Sequence, residues 1–249
     1  MLGMHPVGGS LLLTCLLVVG CASASPYEGL TPAQIYDLGT TKYAEEEWQD
    51  AIAAYERLLA TTPGFDRSRD ARYFLAMSFF HNGDQLSAVS EFVRLLNAGS
   101  GDTLMPRAAL GVCKAYAARS PIPARDQTYT FQAITSCDEV VRDYPGAPVA
   151  DTAGSWVQTL TEKLAIKDLD VAEWYMKRNL TDSAINYFQD VVDNYPQTSS
   201  APVALLRIFE AYTLRGYDDL AERAKEQLLR DYPETAEAKS VTANGDVGS

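Results

Sequence analysis

A recurring pattern of alanine, aromatic and proline residues constrains the fold of this 249-residue chain more than any other feature. Three alanines are each followed four residues later by an aromatic side chain: Ala51 with Tyr55, Ala88 with Phe92, and Ala184 with Phe188. Between these pairs, apolar residues recur at three- and four-residue spacing, which indicates amphipathic helices. One helical hairpin cannot bury its apolar face alone, so we expect stability to come from several stacked hairpins.

The offsets within a unit resemble the tetratricopeptide (TPR) repeat, a helix-turn-helix motif of about 34 residues. Unit one matches it at Ile35, Leu38, Gly39, Tyr43, Trp48, Ala51, Tyr55, Leu58 and Pro63. Further units centre on Ala88, Ala133, Ala184 and Ala221. The small residues let paired helices approach closely, and the prolines end the second helix of a unit. The resemblance predicts an all-α TPR superhelix of about five helix-turn-helix repeats.

The units are unevenly spaced, and this predicts a division of the array. Unit three carries about ten extra residues between its helices, in a Pro-containing insertion near residues 119–126. The 51 residues from Ala133 to Ala184 predict an elongated first helix of unit four over residues 148–170. That helix joins an N-terminal array of units one to three (residues 31–147) to a C-terminal pair (148–236). Residues 237–249 have almost no apolar content, so we expect a disordered tail.

The N-terminus has the pattern of a lipoprotein signal peptide. Residues 1–20 contain no Lys, Arg, Asp or Glu, and their apolar run is about half the length that a membrane span needs. The run ends in Val18-Val19-Gly20-Cys21, which resembles a bacterial lipobox and predicts lipidation of Cys21 and a tether over residues 21–30. Because Ala22 follows in place of Asp, the resemblance implies a lipid anchor in the outer membrane, facing the periplasm.

The charge and the residue inventory exclude several classes of function. The chain has 33 acidic and 21 basic side chains and a net charge of −12, which disfavours nucleic acid as a partner. His5 and His81 are its two histidines, and it contains no phosphate-binding Gly-rich loop, no Gly-x-Ser-x-Gly and no Cys-x-x-Cys motif. We therefore expect no catalytic residues, no metal and no cofactor, and interpret the protein as non-enzymatic.

Two cysteines, Cys113 and Cys137, fall on the two predicted helices of unit three. In an oxidising compartment they can form a disulfide that fixes the hairpin. Alternatively, both are buried small apolar residues, since each occupies an apolar repeat position. We favour the second interpretation and retain the disulfide as the alternative.

The first helices of the N-terminal units predict a peptide groove. TPR arrays commonly bind an extended peptide along the concave surface that these helices line. The predicted groove residues are Tyr36, Tyr43, Tyr73, Met77, Phe80 and Tyr116, with Arg72 and Arg119 among the cations at the border. Such a surface suits an apolar or aromatic peptide end, and the cations suit a terminal carboxylate. The alternative for Tyr43 and Phe80 is packing between units.

The order of several motifs resembles the BamD family of outer-membrane assembly lipoproteins. The most specific are Asp126-Gln127-Thr128, Asp143-Tyr144-Pro145-Gly146 and Ala172-Glu173-Trp174-Tyr175-Met176-Lys177-Arg178. The resemblance implies a scaffold that binds the periplasmic POTRA domains of the barrel subunit BamA through its C-terminal units. It also implies that the N-terminal units receive the aromatic C-terminal segments of outer-membrane proteins, and that other assembly lipoproteins are partners.

One departure from that family concerns the expected partner interface. The family often has an Arg that ion-pairs with the barrel subunit at the position of Tyr187. We therefore expect Lys177, Arg178 and Tyr187 to form the interface here. The alternative function is a pilotin-like TPR lipoprotein of pilus or secretin assembly, which would share the anchor and the array.

Overall fold

The computed structural model describes residues 26–99 and 103–243, and within these ranges the regular structure is entirely helical. The helices are α1 (Pro32–Ala44), α2 (Trp48–Thr61), α3 (Ser68–His81), α4 (Gln85–Asn97), α5 (Leu104–Arg119), α6 (Thr128–Asp143), α7 (Pro148–Met176), α8 (Thr181–Asn194), α9 (Ser200–Arg215), α10 (Asp218–Asp231) and α11 (Ala236–Ala243). Each of α1 to α10 packs against the next helix along the chain. This arrangement confirms the all-α TPR superhelix of five helical hairpins.

The repeat residues occupy the positions that close packing requires. Ala51, Ala88 and Ala184 are fully buried, and so are the aromatic rings that follow them. The rings lie against small residues: a Cβ built on Gly39 would sit 2.9 Å from the Tyr55 ring, and one on Gly111 would sit 2.5 Å from the Phe92 ring. Glycine is therefore a steric requirement at both positions, because an added methyl group would overlap the ring.

The long helix of unit four is present and exceeds its predicted length. Helix α7 has 29 residues and continues to Met176, where residues 148–170 were expected. It packs against α5 and α6 of the N-terminal array and against α8 and α9 of the C-terminal pair. The predicted joint between the two parts is thus a single continuous helix.

The predicted disordered tail is wrong for residues 237–243, which belong to α11. Ala238 and Val241 are buried in the same apolar cluster as Leu228 of α10 and Ile208 of α9. Two apolar residues at three-residue spacing are enough to dock a short helix on an existing surface, and such a helix covers the end of a repeat array. Residues 244–249 lie outside the described residues.

The N-terminal boundary of the fold also differs from the expectation. Tyr27 and Leu30 pack against the first apolar cluster, so the chain joins the fold before the predicted end of the tether at residue 30. Thr31 then caps α1 through a capping box with Gln34. The signal peptide (1–20) and Cys21 lie outside the described residues.

The insertion of unit three forms an ordered loop over residues 120–127, close to the predicted position near residues 119–126. Buried Gln127 donates to the carbonyl oxygens of Ile122 (2.9 Å), Pro123 (3.2 Å) and Arg125 (2.9 Å). Lys163 of α7 donates to Ser120 Oγ at 2.8 Å. A single glutamine side chain thus organises the loop, and α7 holds its first residue.

A disulfide joins α5, the helix that precedes this loop, to α6, the helix that follows it. The Sγ atoms of Cys113 and Cys137 are 2.09 Å apart, and both residues are fully buried. Our preference for two unbonded cysteines was therefore wrong. Apolar repeat positions on paired helices face each other, and here that brings the two Cα atoms to 4.8 Å, within the range that a disulfide spans.

Across the described ranges, none of the helices combines the length and the apolar content that a bilayer crossing needs.

Candidate peptide groove and docking edge

The N-terminal groove (Tyr36, Tyr43, Tyr73, Met77, Phe80 and Tyr116) lies on α1, α3 and α5, the first helices of units one to three. Tyr36 and Tyr73 are each 7% exposed, so they form the floor of the groove and offer little contact surface. Tyr36 packs against Tyr55 with ring centroids 6.0 Å apart, and Tyr73 packs against Phe92 at 5.9 Å. Both residues lie on the first helices of their units, as the repeat predicts, and both are less exposed than a binding surface requires.

Two arginines cover these buried tyrosines, and the sequence analysis did not identify them. The guanidinium carbon of Arg67 lies 3.9 Å from the centroid of the Tyr36 ring, and that of Arg107 lies 4.6 Å from the Tyr73 ring. A cation over an aromatic face is attracted by the quadrupole of the ring. The floor of the groove is therefore partly covered by positive charge, although the chain as a whole is acidic.

Tyr43 takes the packing role that we gave as its alternative. Its ring contacts Trp48 and Phe74 edge-on, each with centroids 5.3 Å away, and burial raises the pKa of its hydroxyl. His81, which is exposed, stacks on Trp48 with centroids 4.7 Å apart. These rings connect unit one to unit two.

Met77 and Phe80 line a small cleft between α3 and α5. Phe92 and Gly111 form its base, and the exposed side chain of Lys114 borders it. Both Met77 and Phe80 are half-buried, so each retains free apolar surface. The cleft is narrow, with about 20 Å³ of open space, so a ligand side chain would pack across its mouth beside the Lys114 ammonium group and would not enter it.

Arg72 does not act as a free cation at the border of the groove. Its Nη1 donates to Oε2 of Glu91 at 2.6 Å, and Arg94 donates to the other oxygen of the same carboxylate at 2.6 Å. Glu91 is buried, so removing Arg72 would leave a carboxylate with less compensation in an apolar setting. Arg72 thus already has a partner in its own unit, and its assignment to a peptide carboxylate stays a prediction.

Arg119 and Tyr116 lie at the end of α5, beside the insertion. The guanidinium of Arg119 lies over Tyr129 of α6 at 4.3 Å, and Tyr116 stacks on the same ring with centroids 6.4 Å apart. Arg119 is exposed to solvent. Tyr116 packs against the same apolar cluster as Met77 and Phe80, and Arg119 lies about one helical turn further along α5.

The three residues of the expected partner interface lie around the turn between α7 and α8. We call this surface the docking edge (Trp174, Tyr175, Lys177, Arg178 and Tyr187). Tyr187 stacks on Tyr175 with centroids 4.9 Å apart and planes 14° from parallel, and the hydrogen bond between the two hydroxyls raises the pKa of Tyr187. Arg178 covers the ring of Trp174 at 3.7 Å. Lys177 is exposed beside them.

A second apolar cleft borders the docking edge, and the sequence analysis did not predict it. Pro123 and Ala124 of the insertion form one wall, while Val171, Trp174 and Tyr175 of α7 form the other, around about 390 Å³ of open space. Trp174 is 48% exposed, although a tryptophan ordinarily buries most of its surface. The only sequence signal was the aromatic pair Trp174-Tyr175 at the end of a long helix.

Chemically, these sites offer shape, aromatic faces and cations. In the described part of the chain, no group of three or more His, Cys, Asp or Glu side chains is arranged to hold a metal ion. The fold is that of a TPR repeat protein, and proteins of this class use their extended concave surfaces for binding. The chain belongs to the family "YfiO: Outer membrane lipoprotein", whose profile matches residues 29–228.

Curated relatives match the chain over most of its length. A protein of Caulobacter vibrioides named "Outer membrane protein assembly factor BamD" is 25% identical over 93% of this chain and 77% of its own. A protein of the same name from Rickettsia prowazekii is 24% identical over 90% of each chain. Among solved structures, a TPR repeats protein from Bacteroides fragilis superposes with a TM-score of 0.48 at 13% identity, over 87% of this chain and 98% of that one.

Proposed function

We propose that the protein is a non-catalytic, lipid-anchored scaffold that assembles β-barrel proteins in the outer membrane and faces the periplasm. The observation that carries this proposal is the shared name of the relatives, which are assembly factors and align over about nine-tenths of this chain. The aromatic groove and the docking edge give the scaffold two separate surfaces. One receives substrate segments, and the other holds a partner subunit.

The substrate surface of this proposal is the Met77–Phe80 cleft. The half-buried side chains at its mouth offer apolar surface on which an aromatic ring can pack, and Lys114 lies beside them, where it can meet a terminal carboxylate. The buried tyrosines and the arginines over them hold the floor of the groove in place, which lowers the entropy cost of binding. The expected ligand is therefore the C-terminal segment of an outer-membrane protein that ends in Phe or Trp.

A labelled peptide with a C-terminal Phe tests this surface. Phe80→Ala should weaken its binding to the full mature chain by about tenfold, which corresponds to about 1.4 kcal/mol. Phe131→Ala is the matched control, because Phe131 is 55% exposed on α6 and is not among the groove residues. Amidation of the peptide carboxylate should weaken binding to the wild type and not to Lys114→Ala. Equal affinities of Phe80→Ala and the wild type would reject the groove.

The partner surface of this proposal is the docking edge. Its exposed tryptophan and its cations match the residue types that dominate protein interfaces, where Trp, Tyr and Arg are enriched. We assign it to the POTRA domains of a BamA-type barrel subunit, with other assembly lipoproteins as further partners. Stacking through Tyr187, with Lys177 and Arg178 beside it, replaces the ion pair of the related family.

Purification of the tagged protein from native membranes tests the partner assignment. We expect a large POTRA-containing barrel protein to co-purify, and we expect Arg178→Ala with Tyr187→Ala to reduce its recovery. Tyr217→Ala is the control, since Tyr217 is comparably exposed at the turn before α10. Recovery of a secretin in place of the barrel protein would reject outer-membrane protein assembly in favour of the pilotin-like alternative.

The anchor of this proposal is the lipid on Cys21, which attaches the scaffold to the outer membrane. Several acyl chains bind a bilayer effectively irreversibly at about 0.8 kcal/mol per buried CH₂. Cys21→Ala should therefore release the protein into the soluble periplasmic fraction. Continued partition with membranes in high salt would contradict lipid anchoring.

A further inference from the structure

The Cys113–Cys137 disulfide lies beneath α7, and its position has consequences for when it can form. Both cysteines are fully buried. They form an apolar cluster with Val140 of α6 and Ala153 of α7, and Val149, Trp156 and Val157 of α7 pack around it. Helix α7 thus covers a bond that joins the two helices preceding it.

Thiol–disulfide exchange needs a thiolate that reaches a disulfide sulfur in line, through a mixed-disulfide intermediate. In the finished fold neither sulfur presents surface to a second molecule. The α5–α6 hairpin, by contrast, is a local unit whose cysteines are 24 residues apart. It can pair before the 29-residue α7 packs across it, and at that stage the α7 side chains that cover the cysteines are not yet in place.

We propose that Cys113 and Cys137 are a substrate of an exported thiol oxidase that acts on the α5–α6 hairpin before α7 docks, and that α7 then seals the bond against reduction. The inference rests on burial, on chain order and on the periplasmic location that the proposed function includes, whereas the experiments below use the purified chain and do not depend on that location.

The exchange balances with a protein disulfide as the oxidant. One cysteine thiolate attacks the oxidant's disulfide, forms a mixed disulfide and releases one oxidant thiolate. The second cysteine thiolate then attacks the bonded cysteine of this chain, which closes the Cys113–Cys137 bond and releases the oxidant's other sulfur. Two electrons pass to the oxidant, and the two protons lost by the cysteines end on its thiols.

Reduction of the folded mature chain by dithiothreitol, followed by trapping of thiols with a maleimide polymer, measures the seal. We expect wild-type reduction to be at least ~100-fold slower under native conditions than in denaturant, because opening must precede reaction. Trp156→Ala should accelerate native reduction about tenfold by loosening α7 over the cluster. Ile166→Ala is the control on the same helix, because Ile166 is 40% exposed and outside this cluster, and it should leave the rate unchanged.

A third variant separates local opening from global unfolding. Leu205→Ala destabilises the C-terminal cluster of α9, which does not include the cysteines, so it should accelerate reduction much less than Trp156→Ala does. Wild-type reduction as fast as in denaturant would overturn the proposal. An unchanged rate in Trp156→Ala, or equal acceleration by Leu205→Ala, would overturn it too.

The order of events is tested in the oxidising direction with oxidised glutathione as the probe. A reduced chain that refolds before glutathione is added should keep its thiols, whereas a chain that refolds in its presence should form the bond. Equal rates of oxidation in the two orders of addition would show that α7 does not block access, and the proposal would fail.

Discussion

The N-terminal array and the C-terminal pair share the TPR repeat and its buried wedge rings, and they differ in the contacts that join one unit to the next. In the array, aromatic rings pack between units one and two, arginines cover the tyrosines of the groove, and a disulfide closes unit three. In the pair, carboxylates of α7 connect to the following hairpin. Glu162 accepts hydrogen bonds from the N–H of Ser199 at 2.8 Å and from Ser200 Oγ at 2.8 Å, at the start of α9.

Two more carboxylates of α7 extend this pattern along the helix. Tyr195 donates to Oδ2 of Asp168 at 3.0 Å, and Arg207 of α9 donates to Oε1 of Glu173 at 2.8 Å. The hydrogen bonds of these three acidic residues connect α7 to a continuous region that runs from the α8–α9 turn to the middle of α9. Aromatic packing in the array leaves part of its apolar side chains accessible at the Met77–Phe80 cleft, whereas polar contacts fix the long helix on which the docking edge lies.

The largest expected effect comes from the buried wedge rings. Phe92→Ala and Phe188→Ala should each lower the free energy of unfolding by about 3–5 kcal/mol, because each leaves a cavity in a closed core. Amide hydrogen exchange should show loss of protection mainly in the array for Phe92→Ala and mainly in the pair for Phe188→Ala. The same loss across all units for both variants would contradict two separately stabilised halves.

A methyl group added at a tight contact should cost less than a lost ring. Gly111→Ala places a Cβ 2.5 Å from the Phe92 ring, so we expect destabilisation of about 1–3 kcal/mol from overpacking. Gly154→Ala is the matched control in α7, where the nearest atom is Val141 Cγ2 at 4.0 Å, and it should stabilise by about 0.5–1 kcal/mol. Urea unfolding measures both, and equal effects would disprove the steric account.

The polar connection at α9 should contribute about 1 kcal/mol. Glu162→Ala removes the acceptor of the Ser199 N–H at the N-cap of α9 and of the Ser199 and Ser200 hydroxyls, and loss of a cap ordinarily costs roughly 0.5–2 kcal/mol. Glu162→Gln keeps an acceptor and should cost less, and Asp170→Ala on the exposed face of α7 is the control. Thermal unfolding followed by circular dichroism measures the series. A Glu162→Ala variant as stable as the control would show that the hydrogen bonds between Glu162 and the start of α9 do not stabilise the fold.

The smallest effect is a dependence of stability on high pH in both halves. Burial raises the pKa of Tyr55 to about 12, and burial together with Asp168 raises that of Tyr195 to about 12. The unfolded chain loses these protons near pH 10 and the folded chain near pH 12, so stability should fall as pH rises between those values. Tyr195→Phe should reduce this slope, as measured by urea midpoints at pH 8 and pH 11. An unchanged slope would contradict the raised pKa.

Much of the fold was predictable because the repeat residues act through size. The alanine–aromatic pair seen at Ala51 and Tyr55 recurs in other units, because paired helices must approach closely and an aromatic ring must fill the space between units. The spacing from Ala133 to Ala184 predicts the long helix. The short helix α11 was not predictable, since Ala238 and Val241 indicate a buried face only when the surface of α9 and α10 that they pack against is known. The disulfide needed the helix register within unit three, which spacing alone does not determine.

The candidate site was predictable in position and less so in exposure. Repeat offsets place Tyr36 and Tyr73 on the groove side. The arginines that cover them come from the following unit: Arg67 directly precedes α3, and Arg107 lies on α5. Arg72 meets Glu91 across its own hairpin, a pairing that depends on side-chain reach. The cleft at Trp174 forms between the insertion and α7, so it depends on two segments about 50 residues apart.

Site-specific photo-crosslinking in living cells tests the central claim, that the two halves hold different classes of protein. A benzoylphenylalanine in place of Phe80 should capture outer-membrane β-barrel substrates through their C-terminal segments, while one in place of Tyr187 should capture a large POTRA-containing subunit. Capture of the same protein at both positions, or of a secretin at Tyr187, would contradict the account.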